Sequence, residues 1–190
     1  NLNILGTEIV RMIENNIKTL DSTALNNLEN IFNPKSTKGY PIIVSNGARI
    51  SFFDAGYASF NGESVNGFSG INQMDFYPPD TEWSVAYFRH PSNAMIERPS
   101  KDYSSYKSLK LELKGAKGGE TFFIALKDSN DPDDGSESRI PITLSNKWKT
   151  YEISLSEFKT TNLKELFIVT SFVFLKGEQN FSVRNIEFIK

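Results

Sequence analysis

The chain has 190 residues, enough for one domain with a substantial core plus an appended segment but too few for two ordinary domains. It is 38% hydrophobic and 23% charged, and its formal net charge of −2 does not indicate a surface that binds nucleic acid. No run of about 18 apolar residues occurs, so we expect no membrane span. The absence of cysteine excludes disulfides, zinc–thiolate sites, iron–sulfur clusters and cysteine nucleophiles.

Residues 2–32 show the periodicity of a helix. Apolar residues recur at spacings of three and four, beginning with Leu2, Leu5 and Ile9. Asp21 begins a polar break that offers N-caps for a second short helix, and Asn33-Pro34 ends it. We therefore predict an α-helical segment over residues 1–33. Its apolar stripe packs either on the rest of the chain or on neighbouring subunits, because the spacing fits both.

From residue 34 onward, Phe, Tyr, Ile, Val, Ser and Gly dominate, and turn residues recur at short intervals. A stretch rich in Gly, Ser and Asn, residues 60–76, is typical of turns that join short strands. The other predicted strands cover residues 48–54, 83–90, 108–114, 121–127, 140–144, 148–155, 166–175 and 181–189. At least eight strands without interleaved helices indicate an all-β fold over residues 34–190. We predict an antiparallel β-sandwich of the jelly-roll type.

The strand over residues 83–90 alternates clearly. Alternation places Trp83, Val85 and Tyr87 on one face, and Ala86 and Phe88 on the other. The sequence does not say which of the two faces is concave, because strand order and register cannot be read without coordinates.

Five segments resemble framework motifs of galactose-binding-like jelly-roll modules, a group that includes carbohydrate-binding modules. Residues 108–128 are similar to their "L-x-F-x-x-R-G-x-x-G-G-E" hairpin, and residues 139–158 to their "L-x-x-x-W-x-x-Y-x-I-x-L" strand pair. Residues 163–174, 181–189 and 83–93 resemble three further strands of the same modules. The resemblance implies a jelly roll that binds a glycan or polysaccharide.

The sequence departs from these modules at two places. Arg184 stands where they often carry an Asp that helps to bind a structural calcium, so the resemblance does not imply that calcium here. Ala94 and Met95 stand where a Trp-Gly pair is expected, so a sugar-stacking tryptophan is missing at that point. The N-terminal helices have no counterpart in the modules.

Candidate ligand-binding residues follow from the chemistry of sugars, whose apolar faces stack on aromatic rings while polar side chains bind their hydroxyls. A sheet face carrying Trp83, Tyr87 and Arg89 supplies both, although Trp83 and Tyr87 could instead face the core. The predicted ligand-binding set is Trp83, Tyr87, Arg89, His90, Asn93 and the loop aromatic Tyr57. By contrast, Trp148 opens a strand at a framework position and is interpreted as an anchor of the core or of a sheet edge.

The segment over residues 128–137 is acidic. Asp131, Asp133 and Asp134, followed by Gly135, could gather the oxygen ligands that a structural Ca²⁺ prefers. Their spacing does not match an EF-hand loop, and the alternative interpretation is a solvated turn.

No catalytic motif is found. His90 is the sole histidine, and no phosphate-binding loop or supported nucleophile–base arrangement occurs. We therefore expect a non-catalytic glycan-binding module of an extracellular or cell-surface protein. Because the chain begins at Asn1, we expect a removed signal peptide or anchor, or a trimmed chain.

Two other functions remain open. The chain could be a structural subunit of an extracellular filament, sheath or surface layer that self-associates through residues 2–32. It could also be the ligand-binding ectodomain of an anchored protein, with the helical segment as its stalk.

Overall fold

The structure is a computed structural model that describes residues 42–45, 49–53, 59–60, 63–64, 73–78, 82–90, 97–175 and 179–190. The predicted helical segment over residues 1–33 lies outside these ranges. The division of the chain at residue 34 therefore stays a prediction. Within the ranges given, no helix has the length and apolar character needed to cross a membrane.

The described residues form strands joined by turns and loops, with two short 3₁₀ turns at Leu155–Glu157 and Leu163–Glu165. The strands are β1 (Ile42–Ser45), β2 (Arg49–Phe53), β3 (Ser59–Phe60), β4 (Glu63–Ser64), β5 (Gln73–Tyr77), β6 (Trp83–Arg89), β7 (Ser108–Gly115), β8 (Thr121–Asp128), β9 (Arg139–Thr143), β10 (Lys149–Ser154), β11 (Leu166–Leu175) and β12 (Phe181–Ile189).

The strands form two stacked sheets. The first has the order β1-β6-β11-β8-β9, and the second has the order β10-β7-β12-β3-β4, with β5 also pairing with β12 and β2 pairing with β5. All of these pairs are antiparallel except β3 with β12, which is a single parallel contact at Phe60 and Ile186. The predicted all-β sandwich of antiparallel sheets is confirmed.

Alternating side chains build the core between the sheets. On β7, Leu109, Leu111 and Leu113 are fully buried, whereas the residues between them are half-buried on the outer face. The long apolar run of β11 is buried along almost its whole length, as predicted. Its neighbours β6 and β8 flank it on both sides, so the strand lies in the middle of the first sheet and needs no solvated edge.

An aromatic cluster joins the two sheets at the centre of the core. The rings of Phe122 and Phe172 come from the first sheet, and those of Phe76 and Phe181 come from the second. Phe181 stacks on Phe122 at 4.6 Å and on Phe76 at 4.9 Å between ring centroids. Phe172 meets Phe76 and Phe122 edge-on at 5.4 Å and 5.6 Å. Such pairs stabilise the packing beyond the apolar area that they bury.

The β7–β8 hairpin closes through a buried carboxylate. The backbone N–H groups of Lys117 and Gly118 donate to Glu120, at 2.5 Å and 2.8 Å. A Cβ at Gly115 would lie 1.9 Å from Glu120 Oε2, so only glycine leaves room for this carboxylate. The turn between β7 and β8 is therefore organised by the acidic residue that follows it.

Candidate functional site

A cleft of about 870 Å³ lies on the outer face of the first sheet. Strands β6 and β11 form its floor, and their register sets side chains in cross-strand pairs. The outward-facing pairs are Trp83 with Leu175, Val85 with Val173, and Tyr87 with Ser171. Five of these residues form what is here called the apolar strip, and all five line the cleft: Trp83, Val85, Tyr87, Val173 and Leu175.

The apolar strip is open to solvent at one end. Trp83 is 51% exposed and Leu175 is 44% exposed, whereas Val85 and Tyr87 are half-buried. The face predicted for Trp83, Val85 and Tyr87 is thus the outer face, and Ala86 and Phe88 of the same strand are fully buried in the core. A flat aromatic ring and a branched aliphatic side chain are therefore presented together on the sheet surface.

Charged residues line the other end of the cleft. This polar end consists of Arg98, Lys127, Asp133, Glu137 and Arg139. Lys127 lies at its centre, and its Nζ is 2.8 Å from Asp131 Oδ1, 3.2 Å from Asp133 Oδ1 and 3.5 Å from Glu137 Oε2. Arg139 contacts Glu137 Oε1 through Nη2 at 2.9 Å. The loop over residues 128–138 is therefore fastened to β8 and β9 by ion pairs.

Arg98 connects a second segment to this loop. Its Nη1 donates to the backbone carbonyl of Asp131 at 2.6 Å, and its guanidinium forms an ion pair with Asp133. The same guanidinium lies over the ring of Phe167, 5.8 Å from the centroid. Arg98 is thus held by a ring, a carbonyl and a carboxylate, in the fork geometry that arginine favours.

The electrostatics of the polar end favour the charged forms of these groups. Burial lowers the pKa of Lys127, but hydrogen bonds to Asp131 and Asp133 outweigh it, and the pKa is raised. Burial raises the pKa of Glu137, but hydrogen bonding to its backbone and to Arg139 outweighs that effect, and the pKa is lowered. The pKa of the Tyr87 hydroxyl is raised, mainly by burial. Tyr87 therefore stays neutral and can donate a hydrogen bond.

The structure brings together only part of the predicted ligand-binding set. Trp83 and Tyr87 line the cleft, whereas the side chains of Arg89 and His90 are each 1% exposed and do not line it. A residue with so little exposed surface offers nothing to a ligand in this conformation. Asn93 and Tyr57 lie outside the described residues, so their roles stay predictions.

Arg89 and His90 are buried because a following segment covers them. Arg89 Nη1 donates to the backbone carbonyl of Glu97 at 3.0 Å, and the guanidinium lies 6.0 Å from the centroid of Phe167. His90 lies 5.7 Å from Tyr103 between ring centroids. The alternation of β6 ends at this point, and both side chains tie the strand to the residues beyond it.

The three aspartates predicted to bind calcium do not converge on one point. Asp131 and Asp133 contact the ammonium of Lys127, whereas Asp134 accepts a hydrogen bond from the backbone N–H of Ser136 at 3.0 Å. Across the residues that the structure describes, no group of three or more His, Cys, Asp and Glu is arranged to hold a metal. The ammonium of Lys127 contacts two of the three aspartates that the sequence predicts to bind Ca²⁺. Calcium binding by these residues stays a prediction.

Sequence reasoning missed Arg98, Lys127 and Leu175 as parts of the site. Lys127 is the next-to-last residue of β8, and the alternation of that strand places it on the outer face, so that signal was available. The ion pair between Arg98 and Asp133 joins residues 35 positions apart and depends on the order of the strands. Leu175 ends a largely apolar strand in which no alternation of apolar and polar residues indicates an outward face.

The outer face of the second sheet has a different character. The guanidinium of Arg184 lies 4.2 Å from the centroid of the Trp148 ring and forms an ion pair with Glu112. Lys114 also lies over this ring, at 5.1 Å. Trp148 is half-buried and covered by cations, in keeping with its interpretation as an anchor near the sheet edge. Arg184, which replaces the expected Asp, is used in this contact.

Comparisons with known proteins agree with this architecture. A family 11 carbohydrate-binding module from Clostridium thermocellum, solved in complex with a beta-1,3-1,4-mixed-linked tetrasaccharide, superposes with a TM-score of 0.53 at 22% identity, covering 83% of this chain and 92% of that one. The family 11 module of a cellulosomal cellulase from the same organism gives a TM-score of 0.52 at 22% identity, covering 83% and 91%.

These two superpositions show the fold alone. A comparison with curated proteins found no match. The family model for carbohydrate binding domain 30 matches residues 53–190, which is more than half of the chain. That range contains the strands that build the cleft and most of the core. This chain therefore belongs to the carbohydrate binding domain 30 family.

Proposed function

We propose that the protein is a non-catalytic module that binds an extended polysaccharide chain along the cleft of the first sheet. The observation that carries the proposal is the apolar strip, in which Trp83 and Leu175 stay exposed side by side on a family scaffold for carbohydrate binding. Sugar rings present apolar C–H faces, and such faces stack on a flat indole ring and its aliphatic neighbour.

The dimensions of the cleft favour a chain over a single sugar. Its lining follows β11 from Leu175 to Phe167, roughly 25 Å at about 3.3 Å per strand residue. The apolar strip occupies one end, and the polar end lies beyond Tyr87. A chain that stacks on Trp83 would reach Arg98 and Asp133 with its hydroxyls, and these two side chains can donate and accept hydrogen bonds.

A mixed-linked β-glucan is the first ligand to test. The superposable family 11 module was solved with a beta-1,3-1,4-mixed-linked tetrasaccharide, and an open sheet cleft suits a single soluble chain better than a crystalline surface. We infer that the module acts outside the cell. The presence of the second family 11 module in a cellulosomal cellulase supports this setting.

The alternative of a filament, sheath or surface-layer subunit rests on self-association through residues 2–32, which lie outside the described residues. No observation on the described strands favours it over glycan binding. The same holds for the ectodomain with a helical stalk.

Affinity electrophoresis in gels containing mixed-linked β-glucan tests the proposal. We expect the wild-type protein to be retarded and the Trp83→Ala variant to migrate as in a gel without polysaccharide. Trp148→Ala, on the opposite sheet, is the matched control and should be retarded like the wild type. Failure of the wild type to bind this glucan, cellulose, xylan and mannan would overturn the proposed function.

A further inference from the structure

The charged residues that line the described cleft are matched in sign. Three are acidic and three are basic: Glu82, Asp133, Glu137, Arg98, Lys127 and Arg139. All but Glu82 take part in ion pairs with one another in the polar end. An incoming ligand therefore meets pairs of opposite charges and no block of one sign.

These ion pairs differ in how far a ligand can reach them. The side chains of Lys127 and Glu137 are only 16% and 4% exposed. The side chains of Arg98 and Asp133 are 35% and 55% exposed. The buried pair is thus part of the support of the loop, and the Arg98–Asp133 pair is the charged surface that a ligand contacts.

Both members of the exposed pair are held in place by other contacts. Arg98 stacks on Phe167 and donates to the carbonyl of Asp131. Asp133 is held by Lys127, and its backbone N–H donates to Asp131 Oδ1 at 2.8 Å. Each side chain would therefore keep its position if the other were replaced. Without Asp133, Arg98 would lose its carboxylate partner, and without Arg98, Asp133 would keep only Lys127, which it shares with Asp131 and Glu137.

We propose that the Arg98–Asp133 ion pair sets the charge selectivity of the cleft, so that the cleft accepts neutral polysaccharide chains and discriminates against chains that carry carboxylates. A carboxylate on the ligand must compete with Asp133 for Arg98 and is repelled by Asp133 itself. Neutral hydroxyls meet neither cost and can bind both partners. The inference rests on the proposed function and specifies which chemical class of polysaccharide the site takes.

Two probes that differ only at the primary hydroxyl position, which is neutral in one and a carboxylate in the other, test the inference. One is a mixed-linked β-glucan oligosaccharide, and the other is the same oligosaccharide with its primary hydroxyls oxidised to carboxylates. Calorimetric titration of the full chain at low salt gives the ratio of the two affinities. We expect the wild type to bind the oxidised probe roughly ten-fold more weakly than the neutral one. Arg98 already has a charge-assisted contact with Asp133, and Asp133 repels the carboxylate of the probe.

Opposite variants should move this ratio in opposite directions. Asp133→Asn frees Arg98 from its carboxylate partner and should shift the ratio by roughly ten-fold toward the oxidised probe. Arg98→Gln leaves Asp133 with only Lys127, which it shares with two other carboxylates, and should shift the ratio further toward the neutral probe. The double variant should return near the wild-type ratio. Both shifts should shrink at high salt, because partly exposed charges are screened.

Glu187→Gln is the matched control. It removes one negative charge, as Asp133→Asn does, and breaks an ion pair with Lys110 on the second sheet. It should leave the ratio of affinities unchanged, and thermal unfolding of every variant shows whether the fold is kept. Equal binding of the two probes by the wild type, or a ratio that Asp133→Asn and Arg98→Gln leave unchanged, would overturn the inference alone. Absence of binding to either probe would overturn it together with the proposed function.

Discussion

Trp83 and Leu175 are cross-strand partners on β6 and β11, and both side chains are exposed although the strands that they begin and end contribute to the core. Neighbouring positions show the contrast, since Ser84 and Phe174, one residue along on each strand, are 1% exposed. An exposed apolar pair adds little to the stability of the fold. The pair is instead suited to contact a ligand through its exposed apolar surface.

We expect Leu175→Ser to weaken binding of the mixed-linked β-glucan by roughly three- to ten-fold. Covering a whole aliphatic side chain of this size contributes about 1.5–3 kcal/mol, and Leu175 is 44% exposed, so a ligand covers only part of it. The free energy of unfolding should change by no more than about 0.5 kcal/mol, since the side chain is largely in solvent. Titration calorimetry and denaturant unfolding give the two values. A large loss of stability with unchanged affinity would assign Leu175 to the core.

Phe172→Ala should have the opposite effect, lowering the free energy of unfolding and leaving the affinity for the glucan unchanged. This ring is fully buried and lies against Phe76, Phe88 and Phe122. Removing it leaves a cavity in the centre of the sandwich and should cost about 3–5 kcal/mol of unfolding free energy. Binding of the glucan by the protein that remains folded should be unchanged, because the side chain points away from the cleft.

Lys127→Met should destabilise the loop over residues 128–138. The substitution keeps an unbranched side chain but removes the ammonium that neutralises Asp131, Asp133 and Glu137. We expect a loss of about 2 kcal/mol, below the cost of roughly 3–5 kcal/mol for breaking a fully buried pair, because the site is partly open. Lys114→Met, on the outer face of the second sheet, is the control of equal charge.

The contacts between Lys127 and the carboxylates of this loop also lead to an expectation about calcium. Since Lys127 and Arg98 already neutralise the carboxylates of the loop, calcium or a chelator should leave the Tm of the wild-type protein unchanged. A rise in Tm on addition of calcium would restore the site predicted from Asp131, Asp133 and Asp134.

The fold could be predicted from the sequence because its signal is local. Period-two alternation indicated the faces of β6, and the apolar run of β11 indicated a buried strand, without any knowledge of strand order. The framework motifs extended this to the jelly roll, and the family comparison agrees with them.

The site could be predicted only where it followed the same alternation. Trp83 and Tyr87 occupy outward positions of β6 and line the cleft, and their role in binding stays a prediction. The local sequence predicts Arg89 and His90 at the ligand surface, because nothing in it shows that residues 97–101 cover the end of the strand. Lys101 pairs there with Leu166, a contact between segments 65 residues apart in the chain. Contacts of this kind depend on topology.

His90 makes the stability of the protein dependent on pH. Its burial, together with the positive charge of Lys101, lowers its pKa from 6.5 to about 4. The unfolded chain therefore binds a proton more readily than the folded one. This contribution is fully present above about pH 6.5 and is lost as the pH falls toward 4, by at most about 3 kcal/mol at 1.36 kcal/mol per pKa unit.

Two variants isolate this effect from the carboxylates that titrate in the same range. His90→Gln removes the titration, so the difference in unfolding free energy between it and the wild type should change with pH between about 6.5 and 4 and be constant above that range. Lys101→Ala removes the nearby positive charge and should raise the pKa of His90, which makes the acid-induced loss smaller. Denaturant unfolding at a series of pH values measures both. An acid-dependent loss of the same size in the wild type and in His90→Gln would show that His90 is not its source.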